Sequence, residues 1–209
     1  MHRDLGKVFA QKRPDVVIHS ATKYLNGHSD SIGGAILTDD DEIADSVRHT
    51  QAYDLGGTLA PFDCYLTLRG LRTLPLRMDQ HETNAAKLVR FLDGHPATIQ
   101  VNYPGLQQHP QHDLAREQMD GFGGIVSFEL DATGVETQAV LEELTTFTLA
   151  VSLGGTESLV DHPATMSASY LSDAEREEAG IPDSLVRIPV GIEHVDDLRA
   201  DLGRAFVHL

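Results

Sequence analysis

The second half of the chain alternates segments of strand character with segments of helical character, and this alternation limits the folds it can adopt. Apolar, β-branched stretches occur at GGIVSFEL, FTLAVSLGG and DSLVRIPVGIE, whereas VETQAVLEEL and HVDDLRADLGRAFVHL have helical spacing. Strands that alternate with helices are typical of an α/β domain. The sequence therefore predicts a small α/β domain in this part of the chain.

The first part of the chain also contains strand and helix patterns. Asp15 to Ser20 reads DVVIHS, a continuous apolar run that is typical of a strand buried on both faces of a parallel sheet. The segment GGAILTDD, from Gly33 to Asp40, predicts the next strand. We expect a helix that stops at Gly56, and then a long helix from Pro61 that Pro75 breaks or kinks.

These patterns predict two domains. We place the boundary inside the long broken helix, so that residues 1–80 form the first domain and residues 81–209 the second. Residues 95–120 are rich in Pro, Gln and His and predict mostly loop with one short helix. The fold class we expect is α/β.

The charge balance argues against nucleic acid and membrane partners. The 209 residues include 16 Lys and Arg against 32 Asp and Glu, for a formal net charge of -16, which repels phosphate backbones and anionic lipid. No apolar run approaches the roughly 18–20 residues that cross a bilayer. The first residues lack the apolar region of a signal peptide, so we expect a cytoplasmic protein.

The acidic surface also suggests a hypothesis about the environment. Only four of the sixteen basic residues are lysines, and an acidic, lysine-poor surface is one way to stay soluble in strong salt. We therefore expect a halophilic source. An ordinary acidic cytosolic protein is the alternative.

Cysteine and histidine give no sign of a redox or metal site. Cys64 is the single cysteine, so neither an intramolecular disulfide nor a thiolate metal site can form. Its helical spacing among apolar residues predicts a buried core thiol. His109 and His112 lack the i, i+4 spacing of a helical metal motif, so we expect no metal.

A polar cluster follows the first predicted strand directly. In open α/β folds, ligands bind beyond the carboxyl ends of strands. In an extended chain, Ser20 and Thr22 would project to the same side and offer two hydroxyl donors to a phosphate. Lys23, beside them, would then reach the aldehyde of a cofactor anchored by that phosphate, as pyridoxal phosphate (PLP) requires. The alternative is a lysine at a strand end that reaches solvent.

Arg187 is a second candidate site residue. In SLVRIPVGIE, Val186, Ile188 and Val190 share one face of the predicted strand, so Arg187 points to the other face. A guanidinium in a largely buried strand needs an anion. That anion is either a substrate carboxylate, held by the two-pronged guanidinium, or an internal Asp or Glu.

Six segments, in order from Asp15 to the C-terminus, carry a resemblance to one enzyme family. They are DVVIHSATKYLNGHSDSIGGAI, APFDCYLTLRGLRTLPLRM, YPGLQQHPQHDLAREQM, GFGGIVSFEL, SLGGTESLVDHPATMS and LVRIPVGIEHVDDL. Together they resemble the PLP-dependent enzymes of Cys/Met metabolism, the trans-sulfuration family. This family includes cystathionine γ-synthase, the cystathionine γ- and β-lyases and methionine γ-lyase.

The resemblance implies a fold and a cofactor site. It implies that residues 1–80 are the C-terminal part of a PLP-binding large domain of fold type I, and that residues 81–209 are the small C-terminal domain. Lys23 would hold PLP covalently and would move protons between the substrate carbon and the cofactor. Ser20 and Thr22 would bind the phosphate.

The resemblance also implies a substrate pocket. Arg187 would bind the α-carboxylate of an amino-acid substrate, and Ser152 and Leu153 would line the same pocket. For Ser152 the alternative is a serine that closes a turn. Val151 stands where many cystathionine enzymes of the family have a glutamate, so recognition of the distal amino group of cystathionine is in doubt.

The implied reaction is β- or γ-elimination, or γ-replacement, on a sulfur amino acid or an O-acyl-homoserine. Only 22 residues precede Lys23, so we expect the family's ring-stacking aromatic residue and its ring-nitrogen aspartate to lie outside a truncated chain. A catalytically inactive remnant, or a subunit that needs a complementing N-terminal chain, is the alternative. The family's homotetramers, which are dimers of dimers, imply a homo-oligomer.

Overall fold

A computed structural model describes residues 14–209 of the chain. Residues 1–13, which begin the expected first domain, lie outside the described residues. The chain divides into two compact units, of which the first ends at Leu76 and the second comprises Arg77–Leu209.

The first unit contains a two-stranded antiparallel sheet. Strand β1 (Val17–Ser20) pairs with β2 (Gly34–Leu37) so that Ser20 lies opposite Gly34. Both strands were predicted, but the expected parallel, doubly buried strand is wrong for the described residues, because the chain reverses between them. Ile18 is 73% exposed. A run of apolar residues indicates a strand without recording its direction or what covers it.

Helix α1 (Asp41–His49) follows the sheet and continues in a wider helical turn at Thr50–Leu55. The Asp40 carboxylate caps its first turn by accepting the Ile43 N–H at 3.0 Å. Gly56 ends the helical segment in the left-handed conformation, with φ of 63°. This confirms the predicted stop at Gly56, where a residue without Cβ meets no steric penalty.

The long helical region from Pro61 is broken as predicted. Helix α2 (Pro61–Leu71) ends just before a short turn, and helix α3 (Leu74–Asp93) begins after it. Pro75 lies in the first turn of α3, where its missing N–H costs no helical hydrogen bond. The division between the two units lies within α3.

The apolar face of α2 is exposed. Phe62, Tyr65 and Leu68 are each more than 60% exposed, and Cys64 is an exposed free thiol. The prediction of a buried core thiol at Cys64 is therefore wrong. Helical spacing identifies which residues share a face, but it does not show whether another segment covers that face.

The second unit is built on a three-stranded antiparallel sheet. Strands β3 (Thr98–Asn102), β4 (Ile125–Leu130) and β7 (Leu185–Pro189) lie in the order β3-β4-β7. The strands expected at β4 and β7 are confirmed. β3 lies in the segment that we expected to be mostly loop. Its two apolar residues, Ile99 and Val101, are separated by the polar Gln100, and the strand is at the edge of the sheet, so its pattern is short and weak.

Short elements complete the second unit. Helix α4 (His112–Gln118) is the short helix expected in the loop-rich segment, and α5 (Gly134–Glu142) and α7 (Val195–Ala205) are the two longer expected helices. The remaining elements are β5 (Thr148–Leu149), β6 (Leu159–Val160), α6 (Asp173–Glu178) and a 3-10 turn at Phe206–His208.

One apolar core supports the second unit. Fully buried residues from the sheet, including Val126, Phe128 and Ile188, pack with Leu88 of α3 and Leu198 of α7. In the described part of the chain, no helix has the length and apolar character that a membrane crossing requires. Among the same residues, no group of three His, Cys, Asp or Glu side chains is arranged to hold a metal ion.

Candidate functional site

Lys23 lies in a tight turn that follows β1 directly. Residues Ala21–Leu25 form a wide helical turn, closed by the Asn26 N–H, which donates to the Ala21 carbonyl at 3.0 Å. The Gly27 N–H donates to the carbonyl of Lys23 itself at 2.8 Å. Lys23 has φ of −87° and ψ of −134°, outside the helical region, and is half-buried. The backbone that carries the lysine is thus fixed on both sides.

Thr22 is fixed by the backbone of Gly33. The Gly33 N–H donates to the Thr22 hydroxyl at 2.9 Å, and the hydroxyl lies 3.3 Å from the Gly33 carbonyl. That carbonyl also accepts the N–H groups of Ala21 and Thr22, at 2.8 and 3.2 Å. The strand ends at Ser20. Thr22 therefore belongs to the turn, so the strand alternation from which we predicted the placement of the Ser20 and Thr22 hydroxyls does not apply, and their joint role as phosphate donors stays a prediction.

The loop after Lys23 packs closely within the first unit. Asn26 is 1% exposed and donates through Nδ2 to Asp30 Oδ1 at 2.7 Å. Its backbone carbonyl lies against Gly70 of α2, where a Cβ would overlap it. Tyr24 points into the interior, and burial raises the pKa of its phenol to about 12. This packing holds the turn in one conformation.

The end of β1 and the turn after it supply groups that fit the phosphate and the aldehyde of PLP. They include a half-buried lysine, an exposed hydroxyl on Ser20, and a Thr22 hydroxyl whose oxygen position is set by the Gly33 N–H. The hydroxyl proton of Thr22 has only a long contact, 3.3 Å, to the Gly33 carbonyl, so it can turn to a phosphate oxygen instead. Ser20, Thr22 and Lys23 could therefore hold the phosphate and the aldehyde of the cofactor.

Arg187 occupies the middle of β7 in the second unit. Val186 and Ile188 are fully buried on one face of the strand, and Arg187 projects from the other, as the alternation predicts. The guanidinium forms an ion pair with Asp161, with 3.2 Å between Nη2 and Oδ2. The internal ion pair that the sequence left open as an alternative is therefore present. The carboxylate-binding role of Arg187 stays a prediction.

Asp161 lies directly opposite Arg187 in the sheet. Each backbone N–H donates to the carbonyl of the other residue at 2.9 Å, so the two side chains leave the sheet on the same face. The Asp161 side chain is fully buried, and its Oδ2 also accepts the Ser167 hydroxyl at 2.6 Å. Within the described residues, Oδ1 of Asp161 and Nε of Arg187 are buried and have no hydrogen-bond partner.

Ser152 adjoins Arg187 in an unusual backbone conformation. Its φ is 136°, in a region that residues with a Cβ rarely adopt. Its carbonyl accepts a long hydrogen bond from Arg187 Nη2 at 3.4 Å. Leu153, the next residue, is half-buried, while Val151 is exposed. A strained backbone beside a largely buried cation is typical of a functional site.

Each unit brings a subset of the predicted site residues together. Ser20, Thr22 and Lys23 share one turn of the first unit, and Ser152 and Arg187 are in contact in the second. The sequence analysis did not identify Asp161 or Ser167. A signal was present, because an arginine in a buried strand needs an anion and Asp161 is an acidic residue directly after the apolar residues Leu159 and Val160.

Comparison with known proteins gives consistent matches over nearly the whole chain. The family of Cys/Met metabolism PLP-dependent enzymes matches residues 11–207. Cystathionine beta-lyase of Coxiella burnetii is 50% identical over 192 residues, which is 91% of this chain and 49% of that protein. Cystathionine gamma-synthase of Mycobacterium leprae is 47% identical over 191 residues, or 91% of this chain and 48% of that protein. The chain spans about half the length of these relatives.

Solved structures agree with the sequence comparison. Cystathionine gamma-lyase from Lactobacillus plantarum, complexed with L-serine, matches with a TM-score of 0.88 and 43% identity, covering 93% of this chain and 50% of that chain. Cystathionine gamma synthase from Xanthomonas oryzae, in complex with aminoacrylate and cysteine, matches with a TM-score of 0.86 and 47% identity, covering 93% of this chain and 51% of that chain. The expected α/β class, the C-terminal part of fold type I, is thus confirmed.

Proposed function

Because the chain belongs to the Cys/Met metabolism PLP-dependent enzyme family, we propose that it supplies the cofactor lysine and a substrate-carboxylate site of an enzyme that acts on sulfur amino acids or O-acyl-homoserine. The proposed reaction is β- or γ-elimination, or γ-replacement. The observation that carries this proposal is the half-buried Lys23 in a fixed turn after β1, with two hydroxyl side chains beside it. The alternative is an inactive remnant or a subunit that requires a second chain.

Three residues of the first unit carry the proposed cofactor chemistry. Ser20 and Thr22 would donate hydrogen bonds to the phosphate, and the Gly33 N–H holds the Thr22 oxygen in place. The Lys23 amine would hold the aldehyde carbon of the cofactor, and its nitrogen would carry a proton between positions on the substrate carbon chain. PLP, when bound, withdraws electrons from the substrate carbon.

Three residues of the second unit carry the proposed substrate contacts. Arg187 binds the α-carboxylate through its guanidinium, whose side chain is 29% exposed and whose Nε has no hydrogen-bond partner among residues 14–209. Ser152 and Leu153 line the same pocket. The contact between the Ser152 carbonyl and Arg187 Nη2 supports this grouping.

Val151 bears on which substrate side chain the proposed pocket accepts. Val151 is 53% exposed and carries no charge with which to recognise a distal amino group. We therefore favour a thioether smaller than cystathionine. Product analysis with cystathionine, methionine and an O-acyl-homoserine tests this choice, and turnover of cystathionine at a rate above that of methionine would refute it.

The cofactor proposal is tested on the purified chain with added PLP. We expect the visible absorption of lysine-bound PLP, and after borohydride reduction we expect the added mass on the peptide that contains Lys23. Lys23→Ala should lose both signals, and Lys87→Ala, which removes an exposed lysine of the second unit, should keep them. Failure of the wild-type chain to take up PLP would favour the inactive-remnant alternative.

A polypeptide partner forms part of the proposal. Several large apolar side chains of the first unit are exposed, including Ile32 at 86%, Ile18 at 73% and the α2 residues named above. Exposed large apolar side chains mark surfaces that contact other proteins where they form a contiguous patch. We propose that a second copy of the chain or a complementing N-terminal chain covers them. A strictly monomeric mass in solution, unchanged by such a chain, would be the contrary result.

We also propose a cytoplasmic protein adapted to high salt, on the basis of its net charge of -16 and its four lysines. At low ionic strength the carboxylates repel one another over about 10–30 Å. The midpoint of thermal unfolding should therefore rise steadily from millimolar to molar potassium chloride. An unchanged midpoint would indicate an ordinary acidic protein.

A further inference from the structure

The buried carboxylate of Asp161 has no role in the function proposed above. It is fully buried, although an ionised side chain is costly to bury unless it is paired. Its location is set by the backbone, since Asp161 and Arg187 form a hydrogen-bonded antiparallel pair. A carboxylate therefore stands beside the guanidinium irrespective of any ligand.

Two nitrogens of the Arg187 guanidinium, Nη2 and Nε, differ in their contacts. Nη2 is engaged, because it pairs with Asp161 Oδ2 at 3.2 Å and contacts the Ser152 carbonyl at 3.4 Å. Nε has no hydrogen-bond partner in the described part of the chain. A guanidinium has five N–H donors in a rigid plane, so fixing one nitrogen fixes the direction of all the others.

Ser167 in turn holds the carboxylate. Its hydroxyl donates to Asp161 Oδ2 at 2.6 Å, on the same oxygen that receives Arg187. His162, the neighbour of Asp161, is 2% exposed, and both of its ring nitrogens lie within 2.8 Å of a partner, Thr165 Oγ1 and the Asp183 carbonyl. The backbone around Asp161 is thus anchored independently of the Arg187 side chain.

We propose that Asp161 is a positioning residue that, held by Ser167, orients the Arg187 guanidinium to receive the α-carboxylate of the substrate. This inference rests on the carboxylate role proposed for Arg187. The long arginine side chain would otherwise sample several rotamers, and binding would then have to immobilise it. Asp161 removes that cost before the substrate arrives.

The negative charge of Asp161 has an effect on carboxylate binding that opposes its orienting effect, and the two effects can be distinguished. A negative charge beside Arg187 partly neutralises it and repels a second carboxylate. If neutralisation dominated, removing Asp161 would tighten carboxylate binding. If orientation dominates, removing Asp161 weakens binding, and an uncharged side chain that still accepts a hydrogen bond restores it.

The experiment measures L-methionine binding to the full chain by NMR of the arginine Nε–H groups, with Arg187→Lys used to assign the Arg187 signal. L-Methioninol, which lacks the carboxylate, is the control ligand. We expect Asp161→Ala to weaken methionine binding by about two- to tenfold, the cost of immobilising one flexible side chain. We expect its Arg187 signal to move toward the value of a free side chain, and Asp161→Asn to recover both.

Ser167→Ala provides a second test, because Ser167 is exposed and its loss threatens folding least. It should shift the Arg187 signal and weaken methionine binding in the same direction as Asp161→Ala. Equal or tighter binding by Asp161→Ala and Ser167→Ala, when the wild-type Arg187 signal responds to methionine but not to methioninol, would overturn the role of Asp161 alone. A wild-type chain whose Arg187 signal ignores methionine would overturn both this role and the carboxylate role of Arg187.

Discussion

Gly70 of α2 lies directly against the backbone carbonyl of Asn26, three residues after Lys23, and leaves no room for a side chain. A Cβ at Gly70 would overlap a backbone oxygen, which cannot rotate away as a flexible side chain can. The position of α2 and the conformation of the lysine turn are therefore coupled through this contact.

Gly70→Ala should loosen the lysine turn. Forcing the two backbones apart is expected to cost about 3 kcal/mol, at the upper end of the usual penalty for overpacking. Hydrogen exchange measured by mass spectrometry should show faster exchange of amides in residues 21–33. Gly57→Ala is the matched control, because nothing lies within 4 Å of a Cβ at Gly57. Equal exchange in the two variants would contradict the coupling.

Asp201 of α7 should make the second unit sensitive to acid. Its burial by itself would raise the pKa of the carboxylate, but the N–H groups of Thr146, Thr145 and Phe147 donate to it and bring the pKa below its usual value. A lowered pKa contributes stability that is present above the unfolded value, about 3.9, and is lost as pH falls through the folded value.

Asp201→Asn should therefore lower the free energy of unfolding by about 1–3 kcal/mol at pH 7, the cost of weakening hydrogen bonds to a charged group. The difference from wild type should begin to shrink below about pH 4, where the unfolded state takes up the proton, and should shrink further as pH falls through the lowered folded value. Urea unfolding at pH 7 and at pH 3 measures this. Asp131→Asn, which changes an exposed carboxylate, should show little difference at either pH. A constant difference at both pH values would count against the mechanism.

Tyr24 should ionise at a higher pH than an ordinary tyrosine side chain. Burial raises the pKa of its phenol to about 12. The raised pKa means that the folded state keeps the phenol proton to a higher pH than the unfolded state does. The stability that the neutral phenol contributes is therefore complete below about pH 10 and is lost as pH rises through about 12.

Ultraviolet absorbance of tyrosinate, followed from pH 8 to pH 12.5, tests this. Tyr24→Phe should remove only the late part of the titration. A Tyr24→Phe variant that loses amplitude near pH 10 would show that Tyr24 is not buried.

The sequence predicted those features that depend on residues close together in the chain. The alternation around Arg187 indicated its face in the strand, and Gly56 and Pro75 marked helix boundaries. The pairing of Asp161 with Arg187 joins residues that are far apart in the chain. Strand register of this kind is fixed by tertiary packing, and no local pattern records it.

Burial was predicted less well than secondary structure, for a related reason. The spacing around Cys64 identified an apolar face of α2, but the face is exposed. The apolar run at β1 likewise indicated a strand, but the direction of its neighbouring strand and its burial depend on other segments of the chain. The roles expected of Lys23 and Arg187 came from the resemblance to the family, because no local pattern around either residue assigns them.

Ser152 should store backbone strain that glycine relieves. Its φ of 136° lies in a region that only glycine adopts without penalty, and such a conformation costs about 1–3 kcal/mol for other residues. Glycine in turn loses about 0.5–1 kcal/mol more conformational entropy on folding than alanine. Ser152→Gly should therefore be more stable than Ser152→Ala by about 1 kcal/mol, since both lack the hydroxyl and only alanine retains the Cβ. Urea unfolding of the second unit compares them, and an alanine variant as stable as the glycine variant would show that the conformation is unstrained.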